Sequence, residues 1–183
     1  CPMPEMPKVF DALMGAGRPF GIRLFGTYAM NSLRMEKAYR HWGHDITDED
    51  TPVQSGLGFA VAWNKPSGFI GRDALLRQRE AGVDRRLAGF ALDDPSKLLY
   101  HNEPIYRDGV LVGRITSGMY GHTIGTSLGL GYVGQDNTKI VPEFVNSGRY
   151  EIEIAGEKVP AKATLKPFYD PTNSRVKDVG NSK

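Results

Sequence analysis

The stretch Pro104-Ile-Tyr-Arg-Asp-Gly-Val-Leu-Val-Gly-Arg-Ile115 decides the fold of the C-terminal half of this chain. Asp108-Gly109 between two short runs of strand formers is a two-residue hairpin signal, because the turn needs positive φ and Asp-Gly adopts it at little cost. A second turn stands at Ala155-Gly156-Glu157, between residues 150–154 and 158–165. With residues 86–92 and the glycine-rich run 125–133, these make several short strands at regular turn spacing with no helix between them. That texture predicts a small all-β barrel or sandwich.

Before residue 82 the texture is mixed. Pro2, Pro4 and Pro7 make an extended lead-in, since proline fixes φ and removes a donor. Residues 8–16 predict a short helix with Val9, Phe10, Leu13 and Met14 on its apolar face, ended by Gly15 and Gly17. Residues 20–25 predict a short strand. Thr27 is expected to cap a helix over residues 28–40 whose inward face carries Met30, Leu33 and Ala38, with Glu36 beside it. The compact apolar run 57–63 predicts a buried strand. Gly71 and Arg72 lead into a helix to about residue 80, ended by Gly82. The reading is therefore α+β, with a boundary near residues 82–85 that divides the chain into domains 1–83 and 84–183.

Composition narrows the function classes. The net charge is +2, from 23 basic and 21 acidic residues, and no basic stripe of the nucleic-acid-binding kind is visible. The longest apolar run is far short of a membrane span. The single cysteine, Cys1, excludes an internal disulfide and a cysteine-cluster metal site. It fits a reducing compartment, with a cytoplasmic location expected and the mitochondrial matrix as the alternative.

Glu36 is the first residue whose chemistry needs explanation. One reading is a helix-surface carboxylate paired with Arg40 or Arg34. The other is an inward carboxylate whose two oxygens accept parallel N–H bonds from a planar amino-heterocycle such as a pterin. Lys65, in Trp63-Asn64-Lys65-Pro66, is a solvated lysine beside a turn or a point charge for a ligand. Tyr28 and Trp63 are core aromatics or walls for an aromatic ligand, and Arg175 is a solvated tail residue or a cation for a ligand's acidic end. His41 and His44 lack the further converging ligands a metal needs, and read as hydrogen-bonded structural groups. Residues 43–52 read as a solvated acidic loop without the calcium-loop pattern. The glycine-rich run 125–131 lacks the Lys-Ser/Thr pair of a phosphate loop. No nucleophile–base arrangement is legible, and no catalytic residue is assigned to this chain.

Ser32-Leu33-Arg34-Met35-Glu36, followed by Trp42-Gly43-His44-Asp45 and Thr51-Pro52-Val53-Gln54-Ser55-Gly56-Leu57, resembles the folate-binding region of the glycine-cleavage T-protein family. The Asn64-Lys65-Pro66 run and the ending Pro167-Phe168-Tyr169-Asp170-Pro171-Thr172-Asn173 bring it nearest to the C-terminal part of dimethylglycine and sarcosine dehydrogenases. Gln54 stands where the family commonly has glutamate, and Lys65 where T-proteins proper tend to have arginine.

The resemblance implies the C-terminal half of a T-protein-like folate module followed by its small β-barrel. It implies tetrahydrofolate as cofactor, Glu36 as the pterin ligand, and Lys65, Tyr28, Trp63 and Arg175 as further folate-binding residues. It places FAD only in an upstream part of a parent that oxidises an N-methylated glycine and forms 5,10-methylenetetrahydrofolate. The expected partners are the folate and that amine, with subunit contacts, and neither nucleic acid nor membrane. The alternatives are an aminomethyltransferase fragment or a non-catalytic structural or subunit-contact module.

Overall fold

Six strands form from the runs that the turn signals delimit: β1 (Arg85–Leu92), β2 (Pro104–Arg107), β3 (Val110–Gly121), β4 (Thr126–Gly134), β5 (Tyr150–Ile154) and β6 (Glu157–Thr164). The structure, a computed structural model, describes residues 1–135 and 138–178. The last residues of the expected barrel domain, 179–183, lie outside the described residues. The strands close into a barrel in the order β1-β4-β3-β2-β5-β6, with β6 pairing back on β1 and every pairing antiparallel. Closure leaves no strand edge to pair with another chain. Both turn signals act as expected: Asp108-Gly109 has φ of 52° and 84°, and Ala155-Gly156 has 51° and 83°. Positive φ at both central residues is the type I′ geometry, whose twist suits antiparallel neighbours.

Alternation along the strands divides inside from outside. Phe90, Ile105, Ile115, Val133, Tyr150 and Ile152 belong to the main buried core, with the Phe90 and Tyr150 rings edge-to-face at 5.5 Å. Burial of each such side chain stabilises the fold by about 1.5–3 kcal/mol. The other face of β1 and β4 is also covered: Leu87, Ala91, Leu128 and Leu130 pack with Met35 in a second cluster. β1 is thus buried on both faces. Gly118 of β3 is pressed against a backbone, and a methyl group there would stand 2.4 Å from the Leu99 carbonyl carbon.

The chain falls into two compact units, Cys1–Met30 and the part from Asn31 onward. The expected boundary at 82–85 falls inside the second unit. It marks the place where α3 (Arg72–Ala81) gives way to β1. Within Cys1–Met30, α1 (Met6–Gly17) covers the expected helix but buries no residue. The predicted strand at 20–25 is absent. A 3-10 turn at Arg18–Phe20 leads into irregular chain, and no strand among the described residues pairs with this run.

α2 (Thr27–Glu36) ends four residues earlier than expected. Thr27 is its first helical residue rather than its cap, since the Gly26 carbonyl accepts from Met30 N–H. It ends where Ala38 turns left-handed at φ 52°, with Ala38 N–H bonding the Met35 carbonyl and Tyr39 N–H the Arg34 carbonyl. That pairing is a Schellman ending. The inward face was also misassigned by the pattern: Met30 and Leu33 are exposed, whereas Ser32, Met35 and Glu36 are buried. The predicted strand at 57–63 is instead a 3-10 turn, Gly58–Ala60, closed by a bond from Trp63 Nε1 to the Gly58 carbonyl, with Phe59 pointing out. In the all-β half, α4 (Pro142–Ser147) and α5 (Ser174–Lys177) are helices the pattern did not predict. α4 opens on Pro142, whose fixed φ suits a first turn.

The acidic loop is solvated only in part: Asp48 and Glu49 are exposed, and Asp45 is buried. Gly43, at φ 88°, lets residues 41–46 fold back so that the His41 carbonyl accepts from the His44 and Asp45 amides. Asp45 is left with no exposure to solvent. Its Oδ1 accepts from Thr116 Oγ1 at 2.5 Å, and its Oδ2 accepts from Arg34 at 3.1 Å and from His41 N–H at 2.8 Å. One carboxylate thereby joins α2, the loop and β3. Asp50 holds the far end of the loop through Arg85 at 3.0 Å.

Two outcomes follow from this packing. Removing the Asp45 carboxylate takes the counter-charge from a mostly buried Arg34, which keeps Asn31 and the Tyr39 carbonyl, while Thr116 keeps the Leu130 carbonyl. Asp45→Ala is therefore expected to lose about 3 kcal/mol in urea unfolding, and an unchanged midpoint would contradict the network. Gly118→Ala is expected to cost about 2–3 kcal/mol through overpacking against backbone that cannot yield, read as a lower thermal midpoint with unchanged ligand-free secondary structure.

Candidate functional site

The last turn of α2 carries the chemistry because three consecutive inward positions meet the barrel at different atoms. Ser32 Oγ donates to the Tyr120 carbonyl at 2.8 Å. Met35, 1% exposed, fills the cluster on β1 and β4. Glu36, 2% exposed, reaches the turn between β3 and β4. Its Oε1 accepts the Thr123 amide at 2.5 Å and the Ile124 amide at 3.2 Å, while Oε2 makes neither bond. Gly121 makes room for this: a methyl there would stand 3.3 Å from Glu36 Cγ. The Glu36 carbonyl also accepts from Tyr169 N–H at 3.0 Å. Next to it, Lys37 Nζ donates to the Asp170 carbonyl at 2.8 Å and Asn173 Oδ1 at 2.6 Å. The segment 169–173 is therefore fastened to the end of the helix.

The two arginines that could have paired with Glu36 do not. Arg34 turns to Asp45, Asn31 and the Tyr39 carbonyl. Arg40 donates to the Ala38 and Ser55 carbonyls. Arg86 donates to the Val53 carbonyl. The Arg40 and Arg86 guanidiniums both stand against Gly56. Burial, and then the Arg86 charge, lower the Arg40 pKa from its ordinary value, and burial does the same to Arg86. They bind carbonyls of the 51–57 turn and hold it against β1.

Of the remaining candidates, Lys65 is exposed on the turn closed by its own amide to the Ala62 carbonyl. Trp63, two residues earlier, is half-buried, with Arg79 over its ring at 5.1 Å. Arg175 is exposed and lies over the ring of Tyr169 at 5.5 Å, the residue whose N–H bonds the Glu36 carbonyl. Tyr28 belongs to the first unit and is 82% exposed. The structure thus links Arg175 to the end of α2 through Tyr169, and leaves Trp63 and Lys65 on their own turn. His41 and His44 stack ring on ring at 4.7 Å. Two clefts stand elsewhere. One, about 1040 Å³, lies beside the loop at His44–Asp50 and the outer face of β3, and the other, about 640 Å³, lies along Ser67–Ala74. Glu36 lines neither of them. Sequence reasoning missed Asp45, Thr116 and the amides of Thr123 and Ile124. The left-handed Gly43 beside Asp45 was the one local signal available.

A carboxylate held this way is an oriented hydrogen-bond acceptor. It is fixed on one oxygen by backbone and belongs to a rigid helix end, so it can recognise a donor without spending rotamer freedom.

Comparison with known proteins agrees with this architecture. The sequence model of the glycine cleavage T-protein C-terminal barrel domain matches residues 85–170, and that of the GCVT N-terminal domain matches residues 1–65. The 4-methylaminobutanoate oxidase (formaldehyde-forming) of Paenarthrobacter nicotinovorans is 42% identical over 93% of this chain and 20% of its own length. The mitochondrial pyruvate dehydrogenase phosphatase regulatory subunit of Mus musculus is 41% identical over 93% of this chain and 21% of its own length. The mitochondrial sarcosine dehydrogenase of Homo sapiens is 37% identical over 97% of this chain and 19% of its own length. The chain spans about a fifth of the length of these relatives. The crystal structure of the glycine cleavage system aminomethyltransferase T from Bartonella henselae superposes with a TM-score of 0.67 at 26% identity, over 78% of this chain and 38% of that one. With both of the family's domains matched in order along it, and its closed barrel in place, the chain belongs to the glycine cleavage T-protein family.

Proposed function

We propose that this chain is the tetrahydrofolate-binding portion of a one-carbon-transferring enzyme, whose whole oxidises an N-methylated glycine with FAD and forms 5,10-methylenetetrahydrofolate. The observation that carries the reading is Glu36: a buried carboxylate at the end of the Ser32–Glu36 run, fixed on Oε1 and not on Oε2 by the barrel. Its chemistry fits the folate, because the remaining oxygen of an ionised carboxylate accepts an N–H of the kind that a pterin presents on its ring and its exocyclic amine. The relatives support the class of reaction, being named as a 4-methylaminobutanoate oxidase (formaldehyde-forming) and a sarcosine dehydrogenase.

When bound, the folate supplies the nitrogens that capture the one-carbon unit. The part of this chain is to bind and orient. Glu36 sets the plane of the pterin, and Arg175, over the ring of Tyr169 beside the end of α2, is the cation proposed for its acidic tail. Orientation of this kind replaces a bimolecular encounter, an effect that reaches about 7–11 kcal/mol in well-aligned systems. Glu36 is not asked to transfer a proton. FAD has no binding fingerprint in this sequence, and no step is assigned to it here.

A second reading, a non-catalytic module, is favoured by one observation: a relative of similar identity is named as a regulatory subunit. Calorimetric titration with tetrahydrofolate separates the two, with Glu36→Gln as the informative variant. Glutamine keeps one oxygen for the Thr123 and Ile124 amides but turns an NH₂ toward the ligand's donors. It is expected to fold like the parent chain and bind tetrahydrofolate roughly tenfold or more weakly, the scale of a lost hydrogen bond to a charged group. Undiminished affinity in a folded Glu36→Gln chain would refute the pterin assignment, and no heat of binding to the unsubstituted chain would favour the regulatory reading.

A further inference from the structure

The β3–β4 turn lies in the barrel domain, far in sequence from the helix that carries Glu36, and nothing in the family resemblance assigns it a role in ligand binding. Its geometry is nevertheless organised around that one side chain. The Thr123 and Ile124 amides converge on Oε1 at 2.5 and 3.2 Å. The turn itself is closed by the Gly125 amide on the Gly121 carbonyl at 2.7 Å and by Tyr120 Oη donating to the Gly125 carbonyl at 2.9 Å. Ile124 packs into the cluster that holds Met35, and Ser32 ties the base of the turn at the Tyr120 carbonyl. The carboxylate and the turn are thus fixed to each other at both ends. The side chains at the tip, His122 and Thr123, are exposed, so the turn meets Glu36 through its peptide groups.

We propose that this turn is the positioning element for the ligand-binding carboxylate: the Thr123 and Ile124 amides hold Oε1 and thereby aim Oε2 at the ligand. The inference rests on the folate reading above and extends it to residues of the barrel. An ionised carboxylate offers about four acceptor sites, two per oxygen. The turn fills those of Oε1, so a donor arriving from the ligand meets Oε2 in a carboxylate that can no longer rotate. Fixing a ligand-contacting group through a second layer of hydrogen bonds is worth roughly 10–100-fold in affinity where it has been measured in metal sites. It also gives the barrel a task in binding beyond packing against α2.

The test uses amide hydrogen exchange and calorimetry on the same chain, with tetrahydrofolate as the probe. In the unsubstituted chain, the Thr123 and Ile124 amides are expected to exchange slowly when free and to stay protected when tetrahydrofolate is bound. Loss of their protection on binding would mean the ligand displaces the turn, and would overturn the proposal. Thr123→Pro removes the shorter bond. Thr123→Pro is expected to weaken tetrahydrofolate binding about tenfold. If Glu36→Gln abolishes binding while a folded Thr123→Pro chain binds normally, the turn is not a positioning element and the folate reading survives. If the unsubstituted chain binds no tetrahydrofolate, both readings fall together.

Discussion

A carboxylate withdrawn from water must find donors, and in this chain the two most deeply placed carboxylates find theirs in the barrel. Glu36 takes peptide amides from the β3–β4 turn, and Asp45 takes a hydroxyl from β3 together with the guanidinium of Arg34. An unpaired charge in such surroundings would cost several kcal/mol, so each bond constrains the chain on both sides of it. The end of α2, the folded-back loop after it and the outer face of the barrel are consequently one structure. That is why the second compact unit extends back to Asn31 and does not begin at the first strand.

The parts of this arrangement that were legible in the sequence are those fixed by local geometry. Asp108-Gly109 and Ala155-Gly156 announce their turns because positive φ is a property of two adjacent residues. The helix at 72–81 is bounded by Gly71 and Gly82, both at positive φ. What was not legible depends on distant partners. Thr116 is 71 residues from Asp45 and Thr123 is 87 from Glu36, so an acidic loop looked solvated and a buried glutamate could be read either way. The run 57–63 is apolar enough for a strand but lacks a ladder to join, and folds on itself through Trp63. The helix face was misread because Ser32 and Glu36, the polar members of the buried stripe, are the ones with barrel partners.

The family likeness and the geometry bear on function at different levels. The barrel and the two matched domains establish the family. The relatives include oxidoreductases and a regulatory subunit that share this segment at comparable identity, so membership alone does not choose between a ligand site and a scaffold. The choice turns on whether the free side of Glu36 meets a ligand. The clefts beside His44–Asp50 and along Ser67–Ala74 do not reach it.

The most direct test is a crystal structure of this chain grown with tetrahydrofolate. The account predicts pterin density with one of its N–H donors on Glu36 Oε2, and the Thr123 and Ile124 amides still on Oε1. A folate bound elsewhere, with Glu36 unchanged beneath the β3–β4 turn, would contradict it.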